Sequence, residues 1–133
     1  MTEPSTIQPH ILIVEDDEHI GPLLSFMLER QGYRVDVCTD GRQARQFVEG
    51  GTDAPNLVLL DVMLPFHDGF ELLGIIRAQA GWQAVPILML TAKTGEADVA
   101  RALSLGASDY IQKPFQPLDL MARLDRFMKR GAA

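Results

Sequence analysis

The chain has 133 residues, of which 47% are hydrophobic and 23% are charged, and its formal net charge is −6. This length fits one domain with one sizeable core, and this apolar content excludes a disordered chain. The negative net charge argues against a nucleic-acid partner. The sequence has no signal-peptide pattern, and no apolar run approaches the ~20 residues that a membrane-spanning helix needs. We therefore expect a cytoplasmic protein with no membrane insertion.

Apolar patterning predicts five strands that alternate with five helices. We expect residues 1–9 to form a flexible lead, and the helix of residues 20–28 to be capped by Asp17 and stopped by Gly32. Pro22 leaves two alternatives for that helix, a start nearer His19 or a bend. In chain order the predicted elements are strand 10–14, helix 20–28, strand 33–37, helix 40–48, strand 57–60, helix 70–76, a strand opened by Pro86, helix 95–105, strand 110–111, and a helix from Pro117 to about Lys129.

The predicted strands are short continuous apolar runs, which is typical of strands buried on both faces of a parallel sheet. Their alternation with helices predicts right-handed crossovers and a doubly wound α/β sheet. Residues 10–130 are therefore expected to form one domain, with no output domain in this chain.

Four of the apolar runs end at a chemically reactive residue. The first ends at Glu15-Asp16-Asp17, and the others end at Asp61, Thr91 and Lys113. Ligands bind beyond the carboxyl ends of such strands, so these side chains are expected to share one crevice. Asp16 and Asp61 offer the hard oxygen ligands that Mg²⁺ prefers, and an aspartate is a recognised nucleophile for phosphoryl transfer. Lys113 and Thr91 are suited to binding phosphoryl oxygens.

These motifs resemble the receiver domain of bacterial two-component response regulators, over residues 10 to about 129. The resemblance implies a CheY-like, flavodoxin-like fold, with a five-stranded parallel sheet of order 2-1-3-4-5 and five helices. The motifs that carry it are ILIVEDD (11–17), LVLLDVMLP (57–65), DGFEL (68–72), MLTA (89–92), GA (106–107) and DYIQKPF (109–115).

The resemblance also implies a role for each acidic residue. Asp61 would accept a phosphoryl group, in a Mg²⁺-dependent manner, from a histidine kinase or phosphotransfer protein. Asp16 and Asp61 would be the acidic metal ligands, Glu15 would act through water, and the backbone carbonyl of Met63 would complete the set. Asp17 is assigned to helix capping. The chain would be a signalling phosphoacceptor, not an enzyme, although it takes part in its own phosphorylation and dephosphorylation.

A switch is implied as well. Thr91 would move toward the phosphorylated aspartate and Tyr110 would rotate inward, remodelling the face of the fourth helix, fifth strand and fifth helix for an unknown downstream effector. The bond before Pro114 is expected to be cis. Met63 and Lys93 would tune dephosphorylation, and because neither side chain suits a water-positioning role we expect slow self-hydrolysis.

Other readings of the sequence remain. A homodimer through the switch face would use Asp109, Asp119 and Arg123, although Val99, Ser104 and Asp125 depart from the expected charge pattern. An aspartate-based phosphatase or phosphotransferase would need a substrate pocket and a second acid near Asp61. A mononucleotide-binding module would need a glycine-rich phosphate loop. A degenerate receiver that acts only by docking is the remaining alternative.

Overall fold

The computed structural model describes residues 8–51, 53–92 and 95–132, with residues 129–132 described by their backbone alone. Most of the predicted lead therefore lies outside the described residues. Within them, no helix is long and apolar enough to cross a membrane. The elements are β1 (His10–Val14), α1 (Ile20–Arg30), β2 (Arg34–Cys38), α2 (Gly41–Glu49), β3 (Leu57–Leu60), α3 (Gly69–Ala78), β4 (Ile87–Thr91), α4 (Glu96–Ser104), β5 (Asp109–Gln112) and α5 (Pro117–Ala132).

The five strands form one parallel sheet in the order β2-β1-β3-β4-β5. This confirms the predicted doubly wound α/β architecture and strand order. In the register, Val14 lies opposite Leu60 and Thr91 lies opposite Gln112. The carboxyl ends of β1, β3, β4 and β5 therefore meet at one edge of the sheet.

Side-chain alternation divides the buried residues between two cores, one on each face of the sheet. Alternate positions such as Ile11 and Leu59 pack with α1 and α5, through Leu24 and Leu124. The intervening positions pack with α2, α3 and α4. The continuous apolar runs are thus explained, since every residue of β1, β3 and β4 is buried.

The start of α1 decides between the alternatives left by Pro22. The helix begins at Ile20, and Pro22 stands in its first turn, where a missing N–H costs no helical hydrogen bond. The N-cap residue is His19, so the prediction that Asp17 occupies the N-cap position was wrong. The Asp17 carboxylate still accepts hydrogen bonds from the N–H groups of His19 (2.8 Å) and Ile20 (3.0 Å), which lower its pKa.

Strand β2 begins one residue later than predicted. The Tyr33 N–H donates to Leu28 O at 3.2 Å, so the α1 turn holds this residue outside the ladder. The Tyr33 hydroxyl donates to Asp125 Oδ1 at 3.1 Å, which ties the end of α1 to α5. Asp125, which departed from the expected charge pattern, therefore has a structural role. Helix α2 begins after Asp40, whose carboxylate caps the N–H of Gln43 at 2.8 Å.

Arg77 holds together the connections around β4. Its guanidinium donates to Gly106 O (2.7 and 3.1 Å), Val85 O (2.7 Å) and Trp82 O (3.2 Å). Gly106 has φ +108°, and a Cβ there would lie 3.0 Å from Arg77 Nε. Burial lowers the pKa of Arg77. This side chain thus joins α3 to the loops before β4 and after α4, a role that the sequence pattern did not reveal.

We predict that Arg77→Ala lowers the free energy of unfolding by about 2–4 kcal/mol, because three partly buried carbonyls lose a charged donor. Urea denaturation would measure the change. The matched control is Arg45→Ala, which breaks an exposed Arg45–Glu49 pair within α2 and should cost no more than about 0.5 kcal/mol. Equal losses in the two variants would contradict this role.

Candidate functional site

Residues from three strand ends converge at the carboxyl edge of the sheet. Glu15 follows β1, Asp61 follows β3 and Lys113 follows β5. The Asp61 N–H donates to Val14 O at 3.0 Å, and the Lys113 N–H donates to Thr91 O at 2.9 Å. The hydrogen bonding of the parallel sheet therefore continues by one bond past the ends of the strands. These bonds fix the backbone positions of Asp61 and Lys113.

The Lys113 ammonium lies between two buried carboxylates. Its Nζ is 2.7 Å from Glu15 Oε1 and 3.1 Å from Asp61 Oδ2, where it donates a hydrogen bond. Glu15 is 2% exposed and Asp61 is 5% exposed. The ammonium is the one polar partner that Glu15 Oε1 has among the described residues. The Lys113–Pro114 peptide bond is cis.

Burial and charge perturb this group of side chains. Burial raises the pKa of Glu15 to about 6, against the lowering effects of Lys113 and of the Asp17 N–H. For Lys113, burial favours the neutral form, but the two carboxylates outweigh it and the pKa is raised. At neutral pH the site therefore holds several carboxylates and one ammonium, and an additional cation would stabilise it.

Three carboxylates are close enough to share a metal ion. Oxygen atoms of Glu15, Asp16 and Asp61 all lie within 4.8 Å of one another, with Asp16 exposed and the other two buried. Hard carboxylate oxygens and an excess of negative charge both fit a small divalent cation such as Mg²⁺. The residues present thus fit the metal that the sequence motifs implied.

The loop after β3 holds Asp61 by close backbone packing. Met63 donates its N–H to Asp61 Oδ1 at 3.3 Å, and Gly69 donates its N–H to Val62 O at 2.8 Å. A Cβ on Gly69 would clash with the Asp61 carbonyl oxygen and lie 2.7 Å from Val62 Cα. Only glycine fits there. The α3 helix then begins with a capping box between Asp68 and Glu71.

Thr91 and Tyr110 lie on the same face of the sheet. Thr91 is fully buried, and Tyr110, which pairs with Met89 in the register, is half-buried. Since Thr91 is two residues beyond Met89, alternation turns both residues toward the α3–α4 side. Burial raises the pKa of Tyr110, and the charges of Asp98 and Asp61 add to that effect.

Some predicted residues are not part of this cluster. Lys93 lies outside the described residues. Asp109 and Asp119 are not members of the metal-ligand group, and both pair with Arg123. Arg123 Nη1 lies 3.2 Å from Asp109 Oδ2, and Arg123 Nε lies 3.7 Å from Asp119 Oδ2.

Sequence reasoning missed Arg101, whose guanidinium carbon is 4.2 Å from the centre of the Phe70 ring at the rim of the crevice. A single exposed arginine on a helix carries no pattern that would mark it.

The chain is similar to proteins of one family. The family model described as the response regulator receiver domain matches residues 11–125. The alkaline phosphatase synthesis transcriptional regulatory protein PhoP of Bacillus subtilis is 46% identical over 91% of this chain and 49% of its own length. The DNA-binding response regulator MtrA of Mycobacterium tuberculosis is 42% identical over 95% of this chain and 53% of its own length. The chain spans about half the length of these relatives.

Solved structures that resemble this chain include a response regulator and a receiver domain. The chemotaxis response regulator CheY4 of Vibrio cholerae has a TM-score of 0.83 and 31% identity, over 90% of this chain and 98% of that one. The receiver domain of the sensor histidine kinase PA1611 from Pseudomonas aeruginosa has a TM-score of 0.81 and 35% identity, over 92% and 98%. That structure is described as having a magnesium ion coordinated in its active-site cleft.

We predict that, in metal-free buffer with EDTA, Glu15→Gln is more stable than the parent chain above about pH 6. The pKa of Glu15 in the folded state, about 6, lies above its ordinary value of 4.5. The folded chain therefore binds the extra proton in this window, and the parent loses stability as the pH rises through it. The advantage of the variant should be on the order of 1 kcal/mol at pH 7 and disappear below about pH 4.5.

Urea midpoints across this pH range would measure the difference. Glu29→Gln, at an exposed position of α1, is the matched control for loss of one carboxylate. A difference between Glu15→Gln and the parent that stays constant across the range would contradict the pH-dependent cost of burying Glu15.

Proposed function

The chain belongs to the response regulator receiver family, and on that premise we propose that Asp61 is its phosphoacceptor in a histidine-kinase phosphorelay. The observation that carries the assignment is the 3.1 Å hydrogen bond from Lys113 Nζ to Asp61 Oδ2, within reach of the Glu15 and Asp16 carboxylates. Response regulators receive phosphoryl groups from histidine kinases and act on downstream effectors, and we propose both classes of partner for this chain.

The proposed reaction is an in-line phosphoryl transfer. An Oδ atom of Asp61 bonds to phosphorus while the P–N bond of a phosphohistidine breaks, and the imidazole nitrogen keeps the bonding electrons. Lys113 offsets charge on the phosphoryl oxygens, and the Thr91 hydroxyl donates to one of them. Asp16 and Asp61, together with the Met63 carbonyl and with Glu15 through water, would hold Mg²⁺, and the ion would supply further charge neutralisation.

We propose that phosphorylation switches the face of α4, β5 and α5 through Thr91 and Tyr110. The proposal is supported by their shared face of the sheet, by the complete burial of Thr91 and by the half-buried position of Tyr110. Movement of the Thr91 side chain toward a phosphorylated Asp61 would leave space on the side of the sheet where Tyr110 packs. A charge event at Asp61 would thus become a packing change on an exposed surface.

A homodimer through this face is a secondary proposal, and it carries a cost that the sequence did not reveal. Arg123 already pairs with Asp109 and Asp119 within the chain. An intermolecular pair must replace an internal one, and exposed pairs contribute only about 0–1 kcal/mol each. We therefore propose that any self-association follows phosphorylation, which would rearrange β5 and α5 first.

The expectation that nucleic acid is not a partner is not supported. MtrA is named a DNA-binding response regulator and PhoP a transcriptional regulatory protein, and this chain aligns with about half of each. For the chain itself, the proposed role is limited to phosphoryl acceptance and switching.

We predict that the parent chain gains the mass of one phosphoryl group when it is incubated with a small-molecule phosphodonor and Mg²⁺, and that it gains none in EDTA. Asp61→Asn should gain none under either condition, because it lacks the nucleophilic carboxylate. Intact mass spectrometry measures both. Asp53→Asn, at an exposed position before β3, is the matched control and should be phosphorylated like the parent.

Phosphorylation of Asp61→Asn at the parent's rate would contradict Asp61 as the acceptor. No mass gain in the parent with any donor would favour the docking-only alternative.

We predict slow loss of the phosphoryl group, with a half-life of minutes or longer in purified protein. Met63, which follows Asp61 by two residues and is 57% exposed, offers no group that could orient an attacking water. Met63→Asn should shorten the half-life, because an amide can hold a water, whereas the apolar control Met63→Leu should keep it. Loss of phosphoryl mass over time is the measurement, and a parent half-life of seconds would contradict the prediction.

A further inference from the structure

An open pocket of about 450 Å³ lies next to the metal-ligand group. Asp16 is part of its wall, and so is Met63 of the loop that follows Asp61. Apolar surface from Leu64 and Phe70 lines it further, and Arg101 of α4 contributes a cation. Asp68, at the start of α3, adds a second carboxylate to the wall. The pocket therefore adjoins the proposed phosphoacceptor site but has its own composition, an apolar surface with two carboxylates and one guanidinium.

Arg101 is held in place without being neutralised. Its guanidinium carbon stacks 4.2 Å from the centre of the Phe70 ring, and Phe70 is 4% exposed, so the ring is a firm support. Among the described residues, no carboxylate pairs with Arg101, whereas Arg123 and Arg45 both have carboxylate partners. The pocket thus presents a positioned guanidinium that remains available to an anionic group.

We propose that this pocket takes the acyl part of small acyl phosphate donors, and that Arg101 binds the carboxylate that leaves. The inference rests on the proposed function. An Asp61 Oδ–P bond forms, the P–O bond to the acyl group breaks, and the acyl oxygen keeps the electron pair and leaves as a carboxylate. No proton has to move, and no other reactant is required.

Charge explains why Arg101 would matter to such a donor. The approach to Asp61 is dominated by the carboxylates Glu15, Asp16 and Asp61, which repel an anionic donor. Lys113 serves the phosphoryl end, and Arg101 is the cation at the pocket end. A donor such as phosphoramidate, whose leaving group is ammonia, gives Arg101 no anion to bind. Arg101 would therefore set donor preference, with acyl phosphates favoured.

The test compares two donors on the intact chain with Mg²⁺. Second-order rate constants for phosphorylation by acetyl phosphate and by phosphoramidate are measured by intact mass, and their ratio is the readout. Arg101→Gln should lower the acetyl phosphate to phosphoramidate ratio about threefold or more, the range of one exposed charge contact. Arg101→Lys should restore most of the ratio. Arg45→Gln, which removes the same charge from α2, should leave the ratio at the parent value.

A binding measurement separates this inference from the proposed function. Acetonylphosphonate, in which a P–C bond replaces the cleavable P–O bond, should shift the backbone amide resonances of Met63 and Arg101, and Arg101→Gln should weaken its binding. If the parent gains no phosphoryl mass from either donor, the proposed function fails, and this titration still decides whether the pocket binds acyl phosphates.

An unchanged ratio in Arg101→Gln would overturn the inference, and so would equal losses with both donors. Absence of acetonylphosphonate shifts at the pocket would overturn it as well. Urea denaturation of Arg101→Gln would establish that the variant is folded before its rates are compared.

Discussion

The ammonium of Lys113 between two buried carboxylates is the interaction on which the site depends. Glu15 and Asp61 are almost fully buried, and an uncompensated buried charge costs several kcal/mol. One ammonium offsets part of that cost and leaves a negative excess, which is raised further by Asp16. The excess favours a divalent cation, and the cation together with Lys113 would make Asp61 approachable by a phosphoryl group.

Backbone packing keeps this charge cluster in one geometry. The β3–α3 loop is fixed at Gly69, where no side chain fits, and at Pro65, whose carbonyl accepts the N–H of Gly41 at 2.9 Å. Phe66 in the same loop has φ 73°, a conformation that costs a non-glycine residue about 1–2 kcal/mol. Its ring stacks with the Arg42 guanidinium at 3.9 Å, which offsets some of that strain and ties the loop to α2.

Three arginines outside this loop have different roles because their surroundings differ. Arg77 is partly buried and satisfies three carbonyls, so it acts in stability. Arg123 is neutralised by two acids of its own chain, which limits its use by a second copy. Arg101 is supported by an aromatic ring and keeps its charge for a ligand. The amino-acid composition does not distinguish these three arginines, whereas their contacts in the folded chain do.

The sequence by itself determined the five strands and helices, their order and the convergence of Glu15, Asp61 and Lys113, because apolar runs of strand length and the residues that end them are local signals. Boundaries such as the start of β2 and the cap of α1 depended on hydrogen bonds made by Tyr33 and Asp17 to neighbouring turns. Only the tertiary structure decided that Lys113 pairs with both Glu15 and Asp61, and that Arg77 donates to three carbonyl groups. It also decided the pairing of Arg123 within the chain and the position of Arg101 in the pocket wall. Each of these joins side chains far apart in the chain, and their distances are set by packing across the sheet, which periodicity does not encode.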